Sequence, residues 1–360
     1  MHPTFTNSPL HQISEYPAWA RAAGDESAVI LTTRVRIARN LVGEVFPYRM
    51  DSEARIRVMR QVARSIAELQ EAADGVFYSL AALAPLEINL LVERRTISPQ
   101  LARDDNPRGV FAWKDIDRAI MVCEEDHVRL TEIVPGLAPA KAFENLQPVL
   151  RQLSSALQFC ADDNLGFLTA CPANLGAAVR TSLFCHLPAL VISGGMEALA
   201  SHAADAEFTV RGFWGEGSEV LGNTFQFTDG PGLSHQVSDM LSRIESLGQV
   251  IMEHEALARI ELQTQRPAVL KDRIARALGI LQSCRVLSGS EILALFSAIR
   301  LGLDIGFVEG LKRETISMLT YDLGKSYLMW TGESDHNPDG RQMRRADRVR
   351  EAFSDVRFVG

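Results

Sequence analysis

With 360 residues, 46% of them hydrophobic, the chain is long enough to bury at least one full core, and its length favours about two domains. A formal net charge of −8 argues against a nucleic-acid partner and toward a cationic substrate. Five cysteines with no C-x-x-C pair exclude a disulfide framework and a zinc site. With no basic leader and no apolar run approaching about 18 residues, a reduced, cytoplasmic, membrane-free protein is expected.

Residues 1–27 read as an irregular lead-in, with a short helix around Tyr16 to Ala23 in which Trp19 packs as an anchor. Residues 28–40 form a β-rich run whose Arg34 and Arg36 share one face while Val35 and Ile37 take the other. Two arginines on one strand face describe either an anion clamp or a solvated sheet edge. Asp51 caps an amphipathic helix that reaches Glu71, 87–93 reads as a strand, and 102–113 as a polar loop. The run 118–130 reads as one strand, apolar at its start and acidic at its end, with Glu125, His127 and Arg129 on a common face. On its own, Glu124-Glu125-Asp126 equally describes a solvated charge run.

Residues 139–158 give a second amphipathic helix, kinked at Pro148. It leads into a hairpin. The first run, from Phe167, ends at Cys171-Pro172; Asn174 and Gly176 suit a tight turn, and in the second run Arg180, Ser182, Phe184 and His186 alternate with Val179, Thr181, Leu183 and Cys185. That parity puts the Cys171 thiol and Arg180 near one end of a sheet, although an ordinary hairpin with a buried thiol fits the stretch as well. A strand ending at Arg211 then opens a glycine-rich loop carrying Glu216. From Val237 onward the apolar spacing is helical, and the chain ends in a basic helix at 341–350.

No phosphate-cradling glycine motif is intact: Gly324-Lys325-Ser326 resembles the end of a P-loop, but Leu319 stands at its first glycine. What remains is a sheet-borne set of arginines (Arg34, Arg36, Arg129, Arg180, Arg211), two separated glutamates (Glu125, Glu216) and one thiol, Cys171. Phosphoryl transfer asks a protein mainly for positioning and charge neutralisation, which converging guanidinium groups supply alongside Mg²⁺.

Four segments, Thr32-Thr-Arg-Val-Arg36, Glu124-Glu-Asp-His-Val-Arg129, Cys171-Pro-Ala-Asn-Leu-Gly176 and Arg211-Gly-Phe-Trp-Gly-Glu216, resemble in this order the signatures of the ATP:guanido phosphotransferases. The resemblance covers roughly residues 28–258 and is strongest to the bacterial protein-arginine kinases, because only 33 residues precede Arg34 and a helical segment follows. It implies an α/β (α+β) fold with an antiparallel sheet flanked by helices: lead-in 1–27, catalytic domain 28–258, and an all-helical domain 259–360 that mediates dimerisation or regulation.

The resemblance further implies ATP and Mg²⁺ as cofactors, with no protein-held metal. Glu125 is the base, Glu216 grips the other side of the substrate guanidinium, and Cys171 sits beside it as a thiolate. Nucleotide contacts fall to Thr32, Thr33, Arg34, Val35, Arg36, Arg95, Arg129, Arg180, Thr181, Ser182, Leu183, Phe184, Arg211, Gly212, Phe213, Trp214 and Gly215. Arg341 and Arg345 correspond to a regulatory phosphoarginine motif. Protein substrates, an activator protein, unfoldase–protease machinery and a homodimer are the implied partners. The chain departs from the family pattern at Cys123, Ala173, Ala177, Arg95 and Gln342. A kinase for free arginine or another small guanidino compound, and a catalytically silent phosphoarginine-binding adaptor, are the alternatives.

Overall fold

The computed structural model describes residue 10 and residues 16–20, 28–212, 221–230, 236–332 and 337–360. Its strands are β1 (Ile30–Arg39), β2 (Gly75–Ser79), β3 (Gly109–Trp113), β4 (Arg118–Val122), β5 (Val128–Pro135), β6 (Ala161–Asp162), β7 (Gly166–Phe167), β8 (Val179–His186), β9 (Phe208–Gly212), β10 (Thr224–Asp229), β11 (Val308–Glu309) and β12 (Arg357–Phe358). Its helices are α1 (Ser52–Ala67), α2 (Pro85–Glu93), α3 (Pro99–Arg103), α4 (Pro139–Ala156), α5 (Pro188–Ser193), α6 (Met196–Asp205), α7 (Val237–Gln265), α8 (Pro267–Ser283), α9 (Gly289–Asp304), α10 (Arg313–Asp322), α11 (Lys325–Trp330) and α12 (Pro338–Ala352). Eight strands form one antiparallel sheet in the order β2-β3-β4-β5-β1-β8-β10-β9.

Side-chain alternation divides that sheet into two faces. Val35, Ile37 and Leu130 point back onto α1 and α4, whose apolar stripes (Val58, Val62, Ile66; Leu146, Val149, Leu153) complete one core. Toward the other edge Ile30, Leu183, Cys185 and Phe227 join a core that continues without a break through Ile251, Ile274, Ile299 and Phe353. The sheet and the C-terminal helices therefore share apolar interior, and α7 crosses the expected boundary at 258/259. On the front, a third cluster packs α2 and Tyr327 over β2 to β4, which leaves the front of β5, β1 and β8 free for polar side chains.

Several sequence expectations change. Residues 87–93 are helical: Pro85 sits in the first turn and the Glu87 carboxylate accepts from Ala84 N at 2.8 Å, a cap that a short apolar run does not reveal by periodicity. The loop expected over 102–113 instead contains the end of α3 and the fully buried β3. The single strand expected over 118–130 is a hairpin, broken at 123–127 between β4 and β5. Of the run expected to pair across the Cys171 turn only Phe167 is strand, in β7, which pairs with β6 and not with β8; Gly166 is held beside Gly176 so closely that a Cβ on it would meet Gly176 O at 2.4 Å. The helix at 139–156 continues through Pro148. In the C-terminal segment β11 pairs with β12, so that segment is helical but not wholly so. Trp19 is buried as expected, in a single short turn at Ala18–Ala20.

Candidate active site

Strand register assembles the site. Arg36 stands opposite Arg180 on β8 and opposite Thr131 on β5, Arg129 lies two residues from Thr131 on the same face, and Arg211 faces Gln226, which faces Phe184. Arg34, Arg36, Arg95, Arg129, Arg180 and Arg211 thus line one cavity of about 190 Å³. Guanidinium groups this close repel one another. Burial, then the charges of Arg95, Arg129 and Arg180, press the Arg34 pKa down to about 9, while burial and then Arg34, Arg129 and Arg180 depress Arg36. Arg34 remains charged at neutral pH. The Nε atoms of Arg34, Arg36 and Arg129 are buried without a hydrogen-bond partner. A set of excess cations with unspent donors is the complement of a polyphosphate.

The carboxylates arrive on the β4–β5 turn, which is buried rather than solvated. Cys123 takes a left-handed conformation (φ 60°), Cys123 N donates to His127 O at 3.0 Å, and Glu124 N donates to Asp126 O at 3.2 Å. Glu124 points inward, paired with Arg129 and accepting from Ser98 Oγ. Glu125 remains half-buried. Burial and then Asp126 push its carboxyl above the ordinary range, while Arg129 and Arg180 pull it back. Asp126 Oδ1 accepts from Asn40 Nδ2 at 2.6 Å and from Ala170 N at 2.8 Å, which ties β1 and the Cys171 segment to this turn. His127 Nδ1 accepts from Leu41 N at 3.0 Å, so Nε2 carries the proton donated to Val45 O at 2.8 Å. Cys171 caps the turn 172–174, and its thiol, with Glu125 and Asp229, lies within the electrostatic reach of Arg180.

Glu125, Cys171 and the five strand arginines are therefore brought together, with Arg95, Ser182, Phe184 and Thr32 on the same face. Four residues carried over with their motifs are not. Val35 and Leu183 point into the apolar cores, Thr181 is buried on the face they share, and Thr33 Oγ1 is spent on Gly136 O at 2.7 Å and Ala138 N at 3.1 Å; strand alternation turns each away from the arginines. Gly212 ends β9, and Phe213, Trp214, Gly215 and Glu216 lie outside the described residues. Arg341 and Arg345 are buried one turn apart on α12. Arg345 donates to Leu323 O at 2.8 Å and lines a separate cavity with Glu93 and Lys325. The sequence reading missed Gln226, although the alternation Phe225-Gln226-Phe227-Thr228 marks it, and it missed Asp229, Ser98 and Tyr321, which carry no local signal.

Residues 57–258 match the model of the ATP:guanido phosphotransferase C-terminal catalytic domain, and residues 267–358 match that of the protein-arginine kinase McsB C-terminal domain. The chain is 33% identical over 341 residues to a protein-arginine kinase of Pelotomaculum thermopropionicum, covering 94% of this chain and 96% of that protein. It belongs to the protein-arginine kinase family. A second member, from Syntrophomonas wolfei, is 33% identical over 338 residues, with 93% and 94% covered. The fold is shared more widely: the duplicated taurocyamine kinase of Schistosoma mansoni superposes with a TM-score of 0.59 at 20% identity, over 79% of this chain and 42% of that one.

As an ATP:guanido phosphotransferase, this family member uses ATP, and the arginine-lined face fits its phosphates. Among the described residues no cluster of three His, Cys, Asp or Glu side chains is available to a metal, and no helix is long and apolar enough to cross a membrane.

Proposed function

We propose that the protein transfers the γ-phosphoryl group of ATP to the guanidinium of arginine residues in proteins. The observation that carries this is the single sheet face on which Arg34, Arg36, Arg129 and Arg180 converge beside the half-buried Glu125. The arginines hold the phosphates and draw off charge from the transferring group. Glu125 orients the substrate guanidinium and takes its proton as the nitrogen attacks phosphorus; the P–N bond forms as the bond from phosphorus to the ADP oxygen breaks. Cys171 faces the guanidinium, and Glu216 closes from its other side. Mg²⁺ would enter with the nucleotide and would supply further charge neutralisation beside these arginines.

We further infer a catalytic unit over 28–258 and, over 259–360, a segment that serves dimerisation and regulation through Arg341 and Arg345. The protein works in the cytoplasm, where its thiols stay reduced, with an activator protein and unfoldase–protease machinery as partners. The test is incubation with ATP, Mg²⁺ and an arginine-rich protein, followed by mass spectrometry. Acid-labile phosphoarginine on the protein, undiminished by free arginine, is the expected result; phosphorylation of free arginine alone overturns the protein acceptor.

A further inference from the structure

Glu125 and Cys171 sit on two different pieces of chain: the β4–β5 turn at 123–127, and the stretch 160–178 that carries the thiol. The turn belongs to the eight-stranded sheet and β6–β7 to a separate two-stranded one, so no ladder of strand hydrogen bonds holds the two together. The residues that leave β1 do so instead. Asn40 is 2% exposed, and its amide is spent in three directions. Nδ2 donates to Asp126 Oδ1 at 2.6 Å and to Leu168 O at 3.0 Å, while Oδ1 accepts from His127 N at 2.9 Å. A backbone N–H can only donate, which fixes the orientation of the amide. The Asn40 carbonyl accepts from Cys160 N at 2.7 Å, and Leu168 N returns to Cys160 O at 3.0 Å. Asp126, next to Glu125, also accepts from Ala170 N, next to Cys171, at 2.8 Å.

Arg39, the last residue of β1, closes the neck of the same stretch. Its Nη1 donates to Ala38 O at 2.6 Å and to Ala177 O at 3.2 Å, and its Cζ lies 3.5 Å from the centroid of the Phe167 ring. It therefore touches both ends of the segment 167–177. Burial lowers its pKa to about 9, which leaves it charged at neutral pH, and among the described residues no carboxylate pairs with it. A buried cation without an acid is costly, and what it gains here is the planar stack on Phe167 and the two carbonyls.

We propose that Asn40 and Arg39 are the positioning residues of the acceptor side. Together they set the gap between the Glu125 carboxylate and the Cys171 thiol, and through it the angle at which an acceptor guanidinium meets the phosphate. The inference rests on the reading of Glu125 and Cys171 as the groups that flank that guanidinium. A gap held by buried hydrogen bonds keeps the reacting nitrogen in line, which is where orientation contributes to rate. The arginines that face the phosphates are held by the sheet itself, so the two residues bear on the acceptor rather than on ATP.

Asn40→Asp keeps the shape of the side chain, removes both donors and sets a second carboxylate against Asp126. With ATP, Mg²⁺ and a synthetic peptide containing one arginine, this variant of the full chain is expected to raise the acceptor KM about tenfold and lower kcat about tenfold. Calorimetric ATP affinity stays within about twofold. Arg39→Lys keeps the charge but loses the flat stack, and gives the same split with about a threefold rise in KM. Being the milder change, it decides the matter even where Asn40→Asp does not fold. A general loss of structure weakens ATP and acceptor alike, so equal weakening of both, or unaltered acceptor kinetics in the folded variants, overturns the inference. Hydrogen exchange needs no acceptor: Asn40→Asp speeds exchange at 124–127 and 168–171 together, and faster exchange at one of them alone, or at neither, also overturns it. Joint acceleration in a chain that phosphorylates no peptide counts against the proposed reaction and upholds the linkage of the two segments.

Discussion

As the proposed base, Glu125 combines two demands that ordinarily conflict: a base must be ionised to take a proton, and it must sit close enough to the substrate to be partly stripped of water. Burial and Asp126 raise its pKa, and Arg129 and Arg180 limit the rise. A base works only when ionised, so activity falls as pH drops through this raised pKa, and the acid limb of the rate profile lies above the ordinary carboxylate range. Glu125→Gln keeps the shape and removes the base. Turnover is expected to fall by about 10²–10⁴-fold, as acid-labile phosphate counted against time, while nucleotide binding is retained. Retained turnover would transfer the base role to another group. The buried Glu124, spent on Arg129 and Ser98, is already committed.

At the scale of the element, the β4–β5 turn aims that carboxylate. Its shape depends on the left-handed Cys123, a fully buried residue at a conformation few side chains adopt. A β-branched side chain there is strained: Cys123→Val should lower stability by about 1–3 kcal/mol in denaturant titration and reduce turnover more than nucleotide affinity. Equal stability would mean that the turn tolerates the strain. This turn also shows the limits of reading the sequence. Strand parity was legible, which is why Arg34, Arg36 and Arg180 were found on one face. The hairpin was not, because charged residues between two apolar runs look alike whether they extend a strand or fold back. Trp19 and Tyr321 approach with ring centroids 5.4 Å apart across some 300 residues of chain, and no local pattern encodes such a meeting.

Across the whole molecule, the interior is not uniformly apolar. Glu132 on β5 is buried, accepting from Asn145 Nδ2 at 2.7 Å, and burial lifts its pKa from 4.5 to about 8. The folded state therefore binds this proton more tightly than the unfolded chain does. Its contribution to stability is complete below pH 4.5 and is lost as pH climbs to about 8. Melting temperatures are expected to decline across that window, and Glu132→Gln should flatten the decline. An unchanged slope in the variant would move the effect to other groups. The helical segment and the sheet share one core, so such unfolding is expected to involve both together.

The crowded guanidinium face has a consequence for how nucleotide arrives. Buried cations gathered on one face attract small anions from a salty medium, and any anion held there must leave when a triphosphate enters. Substrate capture is then an exchange of counter-ions, with affinity set as much by the ionic strength of the surroundings as by the shape of the pocket.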